Sequence, residues 1–428
     1  MRNLHRLQLL PFAVSLLLGC STTPEPRAPV DASKTTEANP EFDPAPACAV
    51  PPPKDVSEMA AATNAFGFDL YRQLPEGDDN LAISPASIGI TLNMLRVGAR
   101  DATARQLEQA LHVALPEGRS HAALGGLAEC YGKPEAQQPY ELLMSNRLFV
   151  HRESHLRSDF QATLQKYAAS AEAVDFVGAT EVSRQHINSW VAEQTQQHIR
   201  DLMPKDGVTS DTRLVLTNAV YFKGKWQTAF PHGSTLDQPF KTPRGEKQVP
   251  TMALNARLKY AETSALQLVE LPYQGERFSM TLLVPKQPGS LQQLTEDLNG
   301  EALDGWLGEA TDTKVRLWLP RFTIKPNGSV KLKGPLRALG VVDAFERRAN
   351  LSGIFGDQPY AVSDVYHQSF IEVNEEGTEA AAATGAGIVR LSLPPQQPEI
   401  RADHPFLFLI RDVHTGFILF MGQVTDPT

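Results

Sequence analysis

The sequence predicts an α+β fold, and three kinds of stretch indicate it. Apolar residues recur at helical spacing from Glu58 to Leu74 and again from Ser183 to Leu202. Apolar runs typical of strands occupy Leu142 to Val150 and Ser369 to Val373. Two further apolar strands close the chain as a hairpin, with Gly416 at the turn between them.

The first twenty residues have the features of a secretory signal. Arg2 and Arg6 supply a positive region, and the apolar run from Leu9 to Leu18 is too short to span a bilayer. The run ends in Leu17-Leu18-Gly19-Cys20, which is similar to a bacterial lipobox. This similarity implies a signal peptide over residues 1–19 and a lipid on Cys20 that would anchor the protein to a membrane surface. A plain signal peptide followed by an incidental cysteine is the alternative.

Residues 20–55 are predicted to form a disordered tether behind the lipidated cysteine. They are rich in proline, threonine, alanine and acidic residues and show no apolar periodicity, so they cannot bury enough surface to order themselves. The proline clusters favour an extended spacer. We therefore expect a secreted protein held at the cell envelope, at the outer membrane surface or in the periplasm, or extracellular if released. Cys48 in the tether and Cys130 in the body could pair or stay free.

The remaining residues, 56–428, are predicted to form a single domain without a cofactor or metal. No second linker, internal repeat or Cys/His metal spacing interrupts them. The net charge of −9 and the pI of about 5.7 argue against nucleic acid as a partner. The chain has no GxSxG, HExxH or P-loop motif, and Gly385-Ala386-Gly387 lacks the third glycine of a dinucleotide fingerprint. An enzyme is therefore not expected.

The stretch from Glu375 to Ser392 is the most unusual connection between predicted strands. It follows the strand at 369–373 and precedes one predicted from Ile400 to Ile410, and structureless loops of this length are generally functional or disordered. Read with period two, one face is uncharged and small up to its last member: Thr378, Ala380, Ala382, Thr384, Ala386 and Ile388. Such a segment could enter a sheet without burying a charge. At about 3.3 Å per residue, residues 377–391 would span about 50 Å, which is the width of a domain of this size.

This stretch resembles the hinge of the serpins, the family of loop-insertion protease inhibitors. The residues that carry the resemblance are Glu375, Glu376, Gly377, Thr378, Glu379, Ala380, Ala381, Ala382, Ala383 and Thr384. The string from Asp211 to Trp226, which ends in Lys-Gly-Lys-Trp, and the C-terminal hairpin match the same family. The resemblance covers essentially all of residues 56–428. It favours loop insertion over the two other interpretations of the stretch, a flexible surface linker and a short alanine-rich helix.

The resemblance implies both a fold and a function. The fold would be a monomeric serpin fold, with a large central mixed β-sheet, two smaller sheets, about eight to nine helices and an exposed reactive-centre loop. The function would be irreversible inhibition of serine proteases. A protease would attack the loop and form an acyl-enzyme. The cleaved loop, Glu375 to Leu391, would then insert as a central antiparallel strand and distort the attached protease before water hydrolyses the ester.

The bond that a protease would cut is predicted by counting along the hinge. In the family the scissile residue usually lies seventeen positions from the first glutamate, which gives Leu391, followed by Ser392. A leucine suits chymotrypsin-like or subtilisin-like proteases. Arg390 is the competing choice and would suit a trypsin-like protease. Gly385 and Gly387 depart from a stiffer loop and could slow insertion, so that some encounters end in simple cleavage.

A second group of residues is expected beneath the place where the central sheet opens. Ser84 can cap a helix whose first residue is Pro85. The resemblance adds that Ser84 and Ser87 lie under the opening and that His367 is a hydrogen-bonded latch near Asn218. It also places Trp226 where the loop first enters the sheet. His367 is not expected to be catalytic.

Two other functions remain open at this stage. One is a non-inhibitory serpin that acts as a binding protein or chaperone, and the other is a lipid-anchored scaffold used for adhesion. The lack of bulky or charged residues on the inward face from Thr378 to Thr384 favours inhibition. Binding of sulfated polysaccharide is not expected, because the region from His112 to Pro134 offers few cations, mainly Arg119 and Lys133.

Overall fold

A computed structural model of the chain describes residues 53–74, 77–132, 139–167, 169–325, 328–378 and 397–428. All of them belong to one compact unit, Pro44–Thr428. The predicted signal peptide, Cys20 and the tether up to residue 52 lie outside the described residues. Within these six ranges, no helix is both long and apolar enough to cross a membrane.

Helices and strands are interspersed along the chain, which confirms the α+β class. The α-helices of the described residues are α1 Pro53–Arg72, α2 Pro85–Gly98, α3 Asp101–Ala110, α4 Glu117–Gly132, α5 Ser158–Lys166, α6 Thr180–Gln194, α7 Leu291–Asp297, α8 Gly300–Glu309, α9 Lys333–Ala338 and α10 Ser352–Phe355. The predicted number of eight to nine is exceeded because short helices such as α10, with 4 residues, leave no periodic signal in a sequence.

The strands are β1 Leu81–Ile83, β2 Tyr140–His151, β3 Ser170–Val174, β4 Leu214–Lys225, β5 Leu236–Thr242, β6 Gly245–Glu262, β7 Leu266–Pro272, β8 Phe278–Pro285, β9 Thr311–Pro320, β10 Phe322–Ile324, β11 Val330–Lys331, β12 Asp364–Val373, β13 Gly377–Thr378, β14 Glu399–Arg401, β15 Phe406–Asp412 and β16 Ile418–Val424. They form a 7-stranded and a 9-stranded sheet. Both sheets are built from residues that are far apart in the chain.

The 7-stranded sheet is the central mixed sheet. Its order is β10-β12-β13-β4-β2-β3, with β11 paired to β12. Strand β12 runs parallel to β4, and β2 runs parallel to β3, whereas β2 and β4 are antiparallel. Two long neighbours, β12 and β4, are therefore joined directly over part of their length and separated by β13 at one end.

The two smaller sheets that the resemblance implied are connected into one. The 9-stranded sheet has the order β1-β16-β15-β8-β7-β6-β9-β14, with β5 paired to β6. Strand β6 is 18 residues long and pairs with β5 near its start, with β9 along its middle and with β7 at its end. Strand β6 thus belongs to both smaller sheets and joins them into one.

Strand β4 lies in the middle of the protein and is buried on both faces. Its first nine residues are all buried. Leu216, Val220 and Phe222 belong to the main core, whereas Val215 and Tyr221 face a second cluster covered by α6. Burial on both faces explains why this segment is a continuous apolar run rather than an alternating one.

The start of the fold lies slightly earlier than predicted. Helix α1 begins at Pro53, so residues 53–55 belong to the folded body and not to the tether. Proline suits the first turn of a helix because its missing N–H would have no partner there. Asp55, in the same turn, is 2% exposed and forms an ion pair with Arg119.

Two predicted elements have different bounds in the structure. The helix predicted from Ser183 to Leu202 ends at Gln194, because Gln196 and Gln197 take positive φ angles of 48° and 69°. Neither residue is a glycine, so the sequence carries no signal for this stop. The strand predicted from Ile400 to Ile410 divides into β14 and β15, because Pro405 precedes β15 and cannot donate to a sheet.

Candidate functional site

The predicted hinge begins inside the central sheet. Thr378 pairs with Gly224 of β4 and with Val373 of β12, in both cases antiparallel. Below this point β12 and β4 pair directly, from Asp364 opposite Val215 to Phe370 opposite Tyr221. The short strand β13 therefore lies like a wedge between two strands at one end of the sheet.

The first residues of the predicted hinge are buried. Glu375 is 2% exposed, and Thr378 is 0% exposed. A tight turn explains the burial, because the Asn374 N–H donates to the Gly377 carbonyl at 2.9 Å and returns the chain directly beside β12. The hinge residues Glu379 to Thr384, and Arg390, Leu391 and Ser392 around the predicted scissile bond, lie outside the described residues.

Trp226 holds the turn that precedes β13. Its indole N–H donates to the Asn374 carbonyl at 3.0 Å, and its backbone N–H donates to the Glu376 carbonyl at 2.8 Å. The Phe230 N–H donates to the Glu375 carbonyl at 2.8 Å. Trp226 is 1% exposed, so these bonds form in an environment that water does not reach.

The carboxylate of Glu375 fastens the same turn to two other elements. It accepts hydrogen bonds from the Arg321 guanidinium and from the Thr235 hydroxyl. Burial acts to raise the pKa of the Glu375 carboxyl, but the bonds from Arg321 and Thr235 outweigh it and hold the pKa below its usual range. Glu375 is therefore an anion in the folded protein, and its charge is compensated.

The side chain of Thr378 makes a hydrogen bond that also holds β13 in place. Its hydroxyl lies 2.8 Å from that of Tyr273, which is also buried. Burial raises the pKa of Tyr273 well above its usual value, so its phenol keeps its proton. The Tyr273 ring stacks on Trp226, with 4.5 Å between the ring centroids, and thereby links the Thr378 contact to the bonds around the turn.

Gly377 is required by a close approach of two backbones. A Cβ atom at this position would lie 1.9 Å from the Gly224 carbonyl oxygen. Gly224 is equally confined, since a Cβ atom there would lie 2.8 Å from the Tyr273 ring. Only two glycines allow β13 to pair with β4 at this point.

His367 lies across the seam below β13, where β12 meets β4. Its Nδ1 is 2.5 Å from the Asn218 side-chain oxygen, and its Nε2 accepts a hydrogen bond from the Ser84 N–H at 3.1 Å. Because Nε2 accepts, the proton of the neutral ring is on Nδ1, which donates to Asn218. His367 is 0% exposed, and burial lowers its pKa to about 3.

Asn218 extends this contact to a third strand and to helix α2. Its amide nitrogen lies 2.8 Å from the Asn146 side-chain oxygen on β2 and 2.5 Å from the Ser87 hydroxyl. Ser87 also donates to Asn146, and the Ser87 N–H donates to the Ser84 hydroxyl, which caps α2 as the sequence predicts. The four residues predicted beneath the sheet opening, Ser84, Ser87, Asn218 and His367, therefore form one hydrogen-bonded network.

Several contacts of the hinge were not foreseen. Three side chains reach the hinge from connections between elements: Tyr273 between β7 and β8, Arg321 between β9 and β10, and Thr235 just before β5. Each lies at least 54 positions along the chain from the residue it binds. His232 also lies 3.3 Å from the Glu376 carboxylate. No local pattern in the sequence marks these residues, because only the packing of the two sheets brings them to the hinge.

The described residues contain no group of three histidine, cysteine, aspartate or glutamate side chains placed to hold a metal ion. Cys130 is disulfide-bonded, and its two possible partners, Cys20 and Cys48, lie outside the described residues.

Comparison with known proteins identifies this arrangement. The family model described as Serpin (serine protease inhibitor) matches residues 61–427. The chain belongs to the serpin family. It is 38% identical to leukocyte elastase inhibitor of Bos taurus over 384 residues, which cover 87% of this chain and 100% of that protein. Relatives of this kind support a serpin protease inhibitor.

Two solved structures show the same fold. Serpin48 of the insect Tenebrio molitor superimposes with a TM-score of 0.76 and 33% identity, covering 87% of this chain and 98% of its own. Human thyroxine-binding globulin, solved with its hormone, superimposes with a TM-score of 0.79 and 26% identity, covering 87% of this chain and 100% of its own. Serpins that resemble this chain therefore include a binding protein as well as inhibitors.

Proposed function

We propose that this serpin is an irreversible serine protease inhibitor that traps its target by inserting the cleaved loop into the central sheet. The observation that carries the proposal is the position of β13. The first hinge residues already pair with both β12 and β4, so the path of the inserting strand is started before cleavage. Cleavage would release the rest of the loop to continue along the same path.

The register of β13 defines that path. Strand β13 is antiparallel to both β4 and β12. A hinge residue two positions further along therefore lies opposite residues two positions earlier in β4 and in β12. Continued in this register, Ala382 comes opposite Val220 and Ser369. Thr384 comes opposite Asn218 and His367, which are themselves direct partners across the seam.

The inward face of the loop fits this path. Thr378 points towards Tyr273 and the main core, so residues at even spacing from it would face the same side. Ala380, Ala382 and Thr384 are small enough to pass beneath Phe222 and Ile371, which belong to that core. No charge enters the interior on this face before Ile388.

The hydrogen bond between His367 and Asn218 is a barrier to insertion of the loop before cleavage. Thr384 can enter only if the His367–Asn218 hydrogen bond opens. Each backbone hydrogen bond formed by the inserted strand is worth roughly 1 kcal/mol net, so about a dozen bonds would supply on the order of 10 kcal/mol. The uncleaved protein is thus a kinetically trapped state with a lower-energy form available to it.

The predicted target follows from the residues around the scissile bond. Leu391 before Ser392 suits a chymotrypsin-like or subtilisin-like protease, and the name of the bovine relative, leukocyte elastase inhibitor, also supports a protease that accepts an apolar residue. Arg390 would suit a trypsin-like protease. The two alternatives differ by one peptide bond and can be separated by sequencing the new N-terminus after cleavage.

The deciding experiment is incubation of the protein with chymotrypsin, subtilisin and trypsin, followed by denaturing gel electrophoresis. With chymotrypsin or subtilisin, a band is expected at the summed mass of inhibitor and protease less the C-terminal peptide that begins at Ser392. This peptide is released on cleavage, whereas the acyl bond survives denaturation. Clean cleavage of the loop with all three proteases, without such a band, would contradict the proposal. A catalytically inactive protease serves as the control, because it binds the loop but cannot form the ester.

A second candidate function is carriage of a small molecule. A cavity of about 480 Å³ lies between α1 and α7 and includes Tyr71, Arg72, Gln292 and Gln423 in its wall. Cavities of about 300–1,000 Å³ are typical of ligand sites. The likeness to thyroxine-binding globulin supports a test with thyroxine as the probe. Saturable binding that a bulky Leu291→Trp substitution abolishes would support carriage, and absence of binding would contradict it.

We also propose that the chain is a lipoprotein whose tether holds the inhibitor at the cell envelope. The lipobox-like Leu17-Leu18-Gly19-Cys20 and the proline-rich residues that follow support this. Expression in a bacterial host should place the protein in the membrane fraction, with the mass of a diacylglycerol adduct on its N-terminal peptide. The Cys20→Ala variant should appear in the soluble fraction, and membrane retention of that variant would count against a lipid anchor.

A further inference from the structure

The outer face of strands β6, β9 and β14 carries an excess of positive charge. Arg257 and Lys259 on β6, Lys314 and Arg316 on β9, and Arg401 on β14 are all exposed. We call these five residues the cationic face. Direct cross-strand pairing of Arg257 with Lys314, and the spacing of two along each strand, place them on one side of the sheet.

The positive charge of this face contrasts with the net negative charge of the whole protein. The chain as a whole has a net charge of −9. On this side, strands β6, β9 and β14 hold two carboxylates, Asp312 and Glu399, which leaves an excess of three positive charges on these strands. Glu270 on the neighbouring strand β7 also lies on this side and is paired with Arg411. Asp312 binds Arg257 at 3.0 Å, and Glu399 lies between Arg316 and Arg401 at 3.5 and 3.2 Å.

One of the lysines does not stabilise the sheet. Lys314 forms no salt bridge or side-chain hydrogen bond with any residue of the described part of the chain, whereas Lys259 lies opposite two carboxylates, Asp312 on β9 and Glu270 on β7. Lys314 lies directly opposite Arg257, and like charges in such a pair destabilise a sheet. Residues that oppose local stability in this way are expected where a surface binds something.

The position of the cationic face connects it to the reactive loop. Strand β14 begins at Glu399, seven residues after Ser392, so the predicted scissile bond lies at most about 25 Å from the edge of the face. A protease domain of about 240 residues is about 45 Å across. A protease that holds the scissile bond in its active site would therefore extend over this face.

We infer that the cationic face is a secondary docking surface for proteases that carry acidic residues beside the active site. This inference rests on the proposed inhibitory function and adds to it a criterion for choosing targets. Complementary charge steers encounter and raises association rates by about 10- to 1,000-fold at low salt. The loop selects the residue that fits the specificity pocket, and the cationic face selects among proteases that share that pocket.

The inference can be tested with two forms of one protease. Chymotrypsin and chymotrypsin succinylated on its surface lysines have the same specificity pocket but opposite surface charge. Active-site titration fixes their concentrations, and the second-order rate of covalent complex formation is measured at low and high salt. Complex formation by the succinylated form is expected to be faster at low salt and to lose this advantage at high salt, since exposed charges are screened.

Two variants locate the effect. Lys314→Glu replaces the like-charge pair with an opposite pair and so should fold normally, while its rate with the succinylated protease should fall about three- to tenfold. Lys259→Gln/Lys314→Gln changes the charge of the face by the same amount and should show a similar fall. Arg105→Glu on α3 changes the net charge of the protein as much as Lys314→Glu does, but is not on the cationic face, and should leave the rate unchanged.

The outcomes separate this inference from the proposed function. If native and succinylated chymotrypsin both form covalent complexes at equal, salt-independent rates, the docking surface is disproved and the inhibitory function stands. If heparin binds the wild type and not Lys314→Glu, while protease rates are equal in both, the face binds a polyanion and the inference is again wrong. If no protease forms a covalent complex, the proposed function itself fails.

Discussion

The hydroxyl groups of Thr378 and Tyr273 lie 2.8 Å apart in the interior of the protein, so the hinge is fastened before a protease reaches the loop. Thr378 belongs to the two-residue strand β13, and Tyr273 stacks on Trp226, which binds the preceding turn. The same side chains therefore hold the start of the loop and line the path along which the rest of it is proposed to insert.

The first prediction concerns this contact. Tyr273→Phe should leave the buried Thr378 hydroxyl without its partner, at a cost of about 1–3 kcal/mol. Opening of β13 should become correspondingly easier, and the Thr378 amide should exchange its hydrogen about tenfold faster or more, as followed by mass spectrometry. Tyr71→Phe on α1, whose hydroxyl contacts Gln423 at 3.3 Å, is the matched control. Equal exchange in all three proteins would show that the contact does not restrain the hinge.

The second prediction concerns the charge of Glu375. Because Arg321 and Thr235 hold the pKa of this carboxyl below its usual range, the stabilisation is present above about pH 4.3, the usual pKa of glutamate, and is lost as pH falls through the lower folded value. Glu375→Gln should lower stability at neutral pH and flatten its loss in acid. Urea unfolding at pH 3 to 7 measures both. A variant curve parallel to the wild-type curve would contradict the role given to the carboxylate.

The third prediction concerns His367. Its folded pKa of about 3 lies below the usual 6.5, so the unfolded chain takes up a proton first as pH falls. The native state should therefore lose stability between about pH 6.5 and pH 3, by up to 1.36 kcal/mol per pH unit. His367→Gln should be less stable at pH 7 and lack this part of the slope. Retention of the full slope in the variant would mean that another group titrates.

The fourth prediction tests the register of insertion. Thr384→Arg would place a charge opposite Asn218 and His367 in the interior, whereas Glu379→Arg would face outward beside Lys223 on the proposed path. The first variant should be cleaved as a substrate without forming a covalent complex, and the second should still inhibit. Both should melt at the wild-type temperature before cleavage. Inhibition by Thr384→Arg would disprove burial of that residue.

The fifth prediction concerns the energy released by insertion. A protein nicked at Leu391 or Arg390 should melt at a higher temperature than the intact protein, because the inserted strand adds on the order of 10 kcal/mol of backbone hydrogen bonds. Differential scanning calorimetry of the two forms gives the comparison. The nicked Thr384→Arg variant is the control and should show no increase. An unchanged melting temperature for nicked wild type would contradict a kinetically trapped native state.

The sequence was most informative where a residue's role is local or where a long string is buried. The continuous apolar run of β4, the cap at Ser84 and the turn at Gly416 were all predicted, because each depends on neighbours within a few positions. The two-face pattern of the hinge also placed Thr378 on the inward side, where its hydroxyl meets Tyr273.

The remaining features depend on packing between distant segments. The ion pair of Glu375 with Arg321 and the contact of Thr378 with Tyr273 join residues 54 and 105 positions apart. The end of α6 at Gln194 is set by two glutamines with positive φ rather than by a glycine or proline. Such features follow from the tertiary structure and leave no periodic mark on the chain.

The wedge formed by Gly377 and Thr378 has a consequence for how this protein behaves among its own copies. Two long strands that separate at one end leave unpaired N–H and C=O groups, which another chain could use to add a strand of its own. Because β13 occupies that end, a neighbouring molecule would first have to displace residues held by Trp226 and Tyr273. The hinge thus protects neighbouring copies of the protein from aggregation through this end of the sheet.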